Sequence, residues 1–276
     1  MKEKLMSMEE AVGLVKHGDL VTTGGVSFHR VPMELIRETI RQGKKDLRIV
    51  DREPAIGFDL LIGAGAVKSV RFAMLGFELL GFALNFRKAA EERRVELIED
   101  TCGAVLNGFR AAAMGIPSIP VRGIWGTDLL EVGIQNGNYK VIKDPFTGED
   151  IIAVKAIEPD VALIHAQRAD IYGNVQIWGG RFEDVWKAKA AKKVIVSVEE
   201  IVDHEMIKLE PYKTTLPYLY VDAVVHLPNG AYPTSCYGLY NTDYEHIRQY
   251  VQMIRDGKFQ EYLTNYVYKK GDDVNG

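Results

Sequence analysis

At 276 residues, with 47% hydrophobic and 26% charged residues, the chain is long enough for one large α/β domain and is balanced as a folded globular protein, which excludes disorder and collagen-like structure. Its 34 Lys and Arg against 38 Asp and Glu leave a net charge of −4 and no basic stripe of the kind nucleic-acid binding needs. The two cysteines, Cys102 and Cys236, have no Cys-x-x-Cys partner, which argues against a disulfide framework or a thiolate zinc site. No apolar run is long enough to span a bilayer, and residues 1–10 lack a signal-peptide core, so the expected location is cytoplasmic.

Taken in chain order, Ser7 and Glu10 form a capping box, and Ala11, Val12, Leu14 and Val15 follow at helical spacing, predicting a first helix that ends at Gly18. A strand over 20–23 runs into Gly24-Gly25. A loop then leads to Pro32, a good first helical residue, and a helix over 33–41 is closed by Gly43. Strands are expected at 47–51, 70–75 and 95–99, with helices at 83–93 and 101–114, the latter capped by Thr101. The run 161–165 is almost wholly apolar, as in a strand covered on both faces. A helix at 182–193, strands at 194–198 and 220–226, and helices at 244–255 and 258–266 complete the pattern. This alternation predicts an α/β fold with a mostly parallel sheet. Residues 123–137 are Gly-rich and irregular, 144–148 read as a turn, and 170–174 as a hairpin loop. With no linker or repeat, the expectation is one domain over 1–276 with an inserted irregular and hairpin region around 123–180.

Chemistry is expected where strands end. The Gly24-Gly25 pair, at the carboxyl end of a strand, lets backbone approach a ligand, and His29 and Arg30 follow with a titratable group and a fixed cation; a tight turn with solvated side chains is the plainer alternative. The segment has neither the third glycine of a dinucleotide fingerprint nor a phosphate-loop Gly-Lys-Ser/Thr. His165 and Gln167 share one face of a buried strand, as a site pair or as structural groups. Gly179-Gly180, after Trp178 and entering a helix, offers amides to an anion or makes a turn. Glu96, Glu99 and Asp100 surround another strand end, with Cys102 near a helix start that can lower a thiol pKa. The six histidines show no metal-ligand spacing, so no metal is expected.

These residues also resemble a known family. Gly18-Asp19 and then Gly24-Gly25-Val26-Ser27-Phe28-His29-Arg30-Val31-Pro32 resemble the A-type signature of the class I coenzyme A transferases, departing from the general form at Val26 and Arg30. His165-Ala166-Gln167-Arg168-Ala169, Gly173, the run from Ile177 through Trp178-Gly179-Gly180 to Val185, Val221-Asp222-Ala223-Val224-Val225 and Cys236-Tyr237-Gly238-Leu239-Tyr240 together resemble the A-type chain of the glutaconate CoA-transferase branch. The resemblance implies an open three-layer α/β/α sheet of the CoA-transferase and sugar-phosphate isomerase type. It implies a coenzyme A thioester as substrate, no permanently bound cofactor, and a B-type CoA-transferase partner that supplies the nucleophilic glutamate. The Ser-Glu-Asn-Gly motif of the B-type chains is absent here, and Glu131-Val132-Gly133 is only a formal Glu-x-Gly match.

The resemblance therefore implies a chain with no catalytic residue of its own, shaping an acyl and carboxylate pocket from Gly24, Gly25, Ser27, His29, Arg30, His165, Gln167, Gly179 and Gly180. Arg30 is the expected reader of a substrate carboxylate, because guanidinium binds carboxylates bidentately. Trp178, Trp186, Tyr237 and Tyr240 are candidates for the partner surface. Ring-cleaving acyl-CoA hydrolases of steroid breakdown resemble the same chains, and in that branch Glu99 would be the base. A free-standing sugar-phosphate isomerase-like or ligand-binding protein is the alternative of another class.

Overall fold

The computed structural model describes residues 1–269. Ser7 caps α1 (Met8–Val12), and its hydroxyl and the Glu10 carboxylate satisfy each other's backbone amides. The helix stops six residues before Gly18, because Leu14 and Val15 bond three residues back and the last turn tightens. Then come β1 (Leu20–Thr23), α2 (Met33–Arg41), β2 (Leu47–Asp51), α3 (Ile56–Gly63), β3 (Val67–Phe72), α4 (Leu84–Glu91), β4 (Glu96–Glu99) and α5 (Cys102–Ala113). Helix α3 was not expected. Apart from Asp59 its sequence is apolar and seven of its eight residues are buried, so it carries no amphipathic period to read.

The segment expected to be irregular is instead ordered. Residues 123–137 hold α6 (Asp128–Gln135), flanked by β5 (Ser118–Val121), β6 (Tyr139–Lys143) and β7 (Asp150–Lys155), with β5-β7-β6 forming a small antiparallel sheet. The 144–148 turn joins β6 to β7; Asp144 Oδ1 accepts from the Phe146 and Thr147 amides. The chain returns through β8 (Val161–Ala169), β9 (Val175–Gln176), α7 (Asp184–Ala190), β10 (Val194–Ile201), α8 (His204–Leu209), β11 (Thr214–Leu216), β12 (Ala223–His226), α9 (Tyr244–Arg255) and α10 (Phe259–Leu263). The β8 to β9 connection at 170–174 is the expected hairpin.

The main sheet is parallel through β12-β10-β8-β1-β2-β3-β4. Alternate side chains serve two cores: Ile49 and Leu163 face the layer of α1 to α4, α9 and α10, while Val50 and Ile164 face the opposite side. Strand β8 overruns β1. Leu163 is the last residue paired to β1, and beyond it Arg168 and Ala169 pair with β9. The chain leaving β1 at Gly24 must therefore turn away from the sheet, and this turn positions the candidate site.

Candidate functional site

The loop after β1 lies between two concavities. On one side a crevice of about 10 Å³ is lined by Gly24, Gly25, Ser27, Asp51 and Glu53. On the other a cavity of about 590 Å³ is lined by His29, Arg30, Trp178, Gly180, Phe182, Ser235, Tyr237, Gly238, Tyr240, Asn241, Thr242 and Tyr244. Of the residues singled out from sequence, His29, Arg30, Gly180 and the aromatic candidates Trp178, Tyr237 and Tyr240 thus share the larger cavity, while Gly24, Gly25 and Ser27 face the crevice.

The glycine pair is tight against the protein itself. Gly25 has φ +75°, its amide donates to Asp184 Oδ1 at 2.9 Å, and a Cβ there would run into the His29 carbonyl. A Cβ on Gly24 would come within 2.8 Å of the Asp184 carboxylate. Close backbone approach is needed, as the sequence suggested, but the group approached is Asp184.

Arg30 is 3% exposed. It pairs with Asp184 and donates to the carbonyls of His165 (2.7 Å) and Gly180 (2.9 Å). Its guanidinium is therefore committed within the protein rather than presented as a free cation. Helix α7 is tied to the strand ends by charge throughout: Glu183 meets Arg52, Asp184 meets Arg30, and the fully buried Lys187 binds Asp51 at 2.7 and 2.8 Å and the Thr23 carbonyl at 2.8 Å. Burial drives the Asp51 carboxyl upward against the pull of Lys187. Because α7 starts only at Asp184, Gly179-Gly180 is not a helix entrance, and Gly180 contributes a carbonyl instead of amides. Gly179 has φ +80° and packs against the Tyr237 ring.

His29 is exposed, and its Nδ1 lies 2.9 Å from Ser235 Oγ, while its ring faces Phe182 at 6.3 Å. Backbone bonds between 28–30 and Ser235 hold this wall rigid. Ser27 (φ +51°) donates to Glu78.

His165 is fully buried and does not line the cavity. Its Nδ1 lies 2.8 Å from Ser197 Oγ and its Nε2 2.7 Å from Glu199 Oε1. Burial pulls the imidazole below its usual range, against Glu199. Burial works to raise Glu199, but the hydrogen bonds from His165 and Tyr240 outweigh it and hold the carboxyl low. The pair is therefore a neutral imidazole donating from Nε2 to a carboxylate, with Nδ1 accepting the Ser197 hydroxyl. Glu199 also accepts from Tyr240 at 2.5 Å and from the Asn229 amide at 2.7 Å. Gln167 donates to the carbonyls of Trp178 (3.0 Å) and Tyr237 (3.1 Å) and so fixes two cavity-wall residues. Sequence reading missed Glu199, which lies in the last residues of β10, just past the 194–198 strand expected from sequence; Lys187 and Ser235 carried no local signal.

His165, Glu199 and Cys236 bring ligand-type atoms within 4.8 Å of one another, which the sequence spacing did not foresee because they come from separate segments. The His165 and Glu199 atoms bond each other, and burial pushes the Cys236 thiol beside them up to about 12.

The remaining candidates lie elsewhere. Glu99 is exposed at the end of the edge strand β4, and its carboxylate has no partner among the described residues. Asp100 beside it is buried against Arg71 and Tyr139. Cys102 opens α5, but burial and the Glu53 carboxylate raise its thiol, contrary to the lowering expected from a helix start. Glu131 sits exposed on α6. Trp186 packs beside a buried cluster, whereas Tyr237 is 67% exposed.

The sequence profile of the coenzyme A transferase family matches residues 5–227. The chain is 41% identical over 276 residues to an uncharacterized protein of Archaeoglobus fulgidus, covering 99% of this chain but spanning only 61% of that relative's length. It is 37% identical to the A-type chain of the 3-oxoadipate CoA-transferase of Pseudomonas knackmussii, over 96% of this chain and 93% of that one. The crystal structure of glutaconate coenzyme A-transferase from Acidaminococcus fermentans superposes with a TM-score of 0.92 at 34% identity, covering 98% of this chain and 90% of that one. The open α/β/α architecture, the strained loop after β1 and these matches agree, and the chain belongs to the coenzyme A transferase family.

Proposed function

We propose that this chain is the A-type component of a heteromeric acyl-CoA:carboxylate CoA-transferase, shaping the acyl pocket while a B-type partner supplies the nucleophile. The observation that carries this reading is the lining of the 590 Å³ cavity: aromatic rings, hydroxyls, an amide, His29 and the Arg30 guanidinium, with no Asp, Glu, Lys or Cys. Such a cavity can hold and orient an acyl group, and it has no carboxylate to form the acyl anhydride with a thioester. The partner's glutamate attacks the thioester carbonyl, giving an acyl anhydride and CoA thiolate. The thiolate then attacks the glutamyl carbonyl, releasing the first carboxylate, and the acceptor carboxylate runs the two steps in reverse. Within this chain His29 faces the acyl group, Gln167 and Gly179 hold the aromatic wall, and Arg30 fixes that wall through the Gly180 carbonyl. The purified chain is expected to show no acyl-CoA/acetate exchange by itself and to gain it with a B-type partner. A robust rate from this chain alone that survives Glu131→Ala would overturn the reading.

A second reading has one observation in its favour. Glu99 ends β4 exposed and unpaired, as a base in an acyl-CoA hydrolase or ring-cleaving enzyme would be. In the transferase reading Glu99→Gln keeps most of the activity of the assembled complex. Loss of a general base costs about 10²–10⁴-fold, so a drop beyond about a hundredfold with substrate binding and melting temperature unchanged would move the chemistry to this chain.

A further inference from the structure

The main cavity brings a hydroxyl and an imidazole into contact, and the transferase chemistry leaves this contact unused. Ser235 Oγ lies 2.9 Å from His29 Nδ1, across 206 positions of sequence, and both residues line the cavity wall. Counting donors and acceptors assigns the proton between them. The Phe28 carbonyl has two lone pairs, and it accepts from the Ser235 amide at 2.9 Å and the Thr242 hydroxyl at 3.0 Å. The Ser235 hydroxyl reaches that same oxygen only at 3.4 Å, long for an O–H donor. Its proton therefore goes to His29 Nδ1, which leaves the imidazole protonated at Nε2 and the serine hydroxyl bonded to a base. Both groups are held in place. His29 and Val26 exchange backbone bonds at 2.8 and 3.1 Å, the Arg30 amide donates to Ser235 O at 2.7 Å, and the Phe182 ring stacks beside the imidazole. Ser27 and Arg30, which bracket Phe28-His29, hold φ of +51° and +55°, a costly backbone for non-glycine residues that gathers at functional sites. Donors for a developing oxyanion share the cavity. The Leu239 amide closes a tight turn on Cys236 O at 3.0 Å, and the Tyr237 and Gly238 amides within that turn, like the Trp178 indole N–H, make no hydrogen bond among the described residues.

We propose that this chain has an activity of its own, the hydrolysis of acyl-CoA thioesters, with Ser235 as nucleophile and His29 as general base; the proposal rests on reading the cavity as an acyl pocket. Ser235 Oγ attacks the thioester carbonyl while its proton passes to His29 Nδ1. The tetrahedral intermediate collapses, the C–S bond breaks, and CoA leaves as the thiol with the proton from His29. The acyl group is now an ester on Ser235. Water attacks that ester and gives a proton to His29, the bond to Ser235 Oγ breaks, and the serine recovers its proton as the carboxylic acid departs. The balance is acyl-CoA and water to carboxylic acid and CoA, with no oxidant or further reactant. A serine ester is far less reactive toward an acceptor carboxylate than the anhydride that a glutamate forms, so the Ser235 route ends in hydrolysis and not in transfer.

The test uses the full chain without a partner and butyryl-CoA, followed by loss of the thioester's ultraviolet absorbance. Hydrolysis should be measurable and should fall at least about a hundredfold in Ser235→Ala and in His29→Ala, with the melting temperature unchanged. A fluorophosphonate probe should add to Ser235, located by peptide mass, and His29→Ala should slow that labelling. A chain that does not hydrolyse butyryl-CoA, a rate that survives Ser235→Ala, or a probe that leaves Ser235 unlabelled overturns the proposal. The transferase reading is scored separately, by acyl-CoA/acetate exchange of the wild-type chain assembled with its B-type partner. Exchange without hydrolysis by the lone chain sinks only the Ser235 assignment, and hydrolysis without exchange sinks only the transferase.

Discussion

Individual buried charges in this protein decide measurable quantities. Asp59 is fully buried in α3, accepting from Tyr250 (2.6 Å), the Phe86 amide (2.8 Å) and Asn85 (3.2 Å), and burial nevertheless pushes its carboxyl up to about 6 from an ordinary 3.8. A raised carboxyl pKa means that the folded state holds the proton more tightly. The stabilisation is fully present below pH 3.8 and is lost as pH rises through about 6, a difference on the order of 3 kcal/mol. His246 works in the opposite sense: burial and then Arg37 lower it to about 4, so stability falls as pH drops from 6.5 toward 4. The wild-type profile mixes the two trends. The Asp59→Asn variant isolates one of them: its melting temperature minus that of the wild type is expected to climb between pH 4 and pH 7, and a flat difference would refute the assignment. The Arg30–Asp184 pair gives a second expectation at this scale. Breaking a buried pair from one side leaves an uncompensated charge and costs about 3–5 kcal/mol. Asp184→Asn should show a loss of that size in urea unfolding, and a loss under about 1 kcal/mol would mean the pair is solvated.

At the scale of elements, the loop after β1 and helix α7 form one unit. The loop can turn away from β9 only by bringing Gly25 backbone against His29 and Arg30, and α7 docks only by placing Asp184 on the Gly25 amide. Gly25→Ala combines an unfavourable φ with a clash against backbone, which no side-chain movement relieves. Gly43→Ala has a similar φ of +63° with nothing within 4 Å. The first should lose more than about 3 kcal/mol or fail to fold, and the second about 1 kcal/mol, by the same denaturation measurement. Equal losses would show that backbone conformation alone, not the clash with the His29 and Arg30 backbone, sets the cost. Helix α5 supplies a milder check: Thr101 caps it by accepting from the Ala104 amide at 3.1 Å, so Thr101→Ala should lose about 1 kcal/mol.

The whole molecule exposes a band of large apolar groups beside the cavity. Leu79 is fully exposed, and with Phe28, Phe77, Leu80 and Tyr244 it lines a 270 Å³ hollow; Tyr244 also lines the main cavity, and Tyr237 stands open at its rim. Phe28 and Phe77 form the buried floor of the hollow, so Leu79, Tyr244 and Tyr237 are the large groups left open to a partner. In the proposed enzyme this is where the B-type partner covers the site. Leu79→Asp should leave the melting temperature of this chain unchanged and weaken partner binding at least tenfold by calorimetry. Unaltered affinity would place the partner elsewhere. Among the described residues no helix is long and apolar enough to cross a membrane.

By itself the sequence determined the parallel α/β alternation, the capped starts of α1 and α5, the hairpin at 170–174 and the special backbone after β1, because each rests on local chemistry: apolar period, capping side chains and glycine conformation. It also carried the family, through motifs spread over most of the chain. The order in 118–155 was not legible, since β6 is exposed along most of its length and shows no alternation, and α3 was not legible because burial on every side erases periodicity. The reach of Arg30 across 154 positions to Asp184, the pairing of Lys187 with Asp51, and the convergence of His165, Glu199 and Tyr240 were decided only by the tertiary structure. A side chain's partner depends on which strand ends lie side by side, and that neighbourhood is set by the packing of the whole sheet, so the same residues that read as ligand groups in sequence became internal ties in the fold.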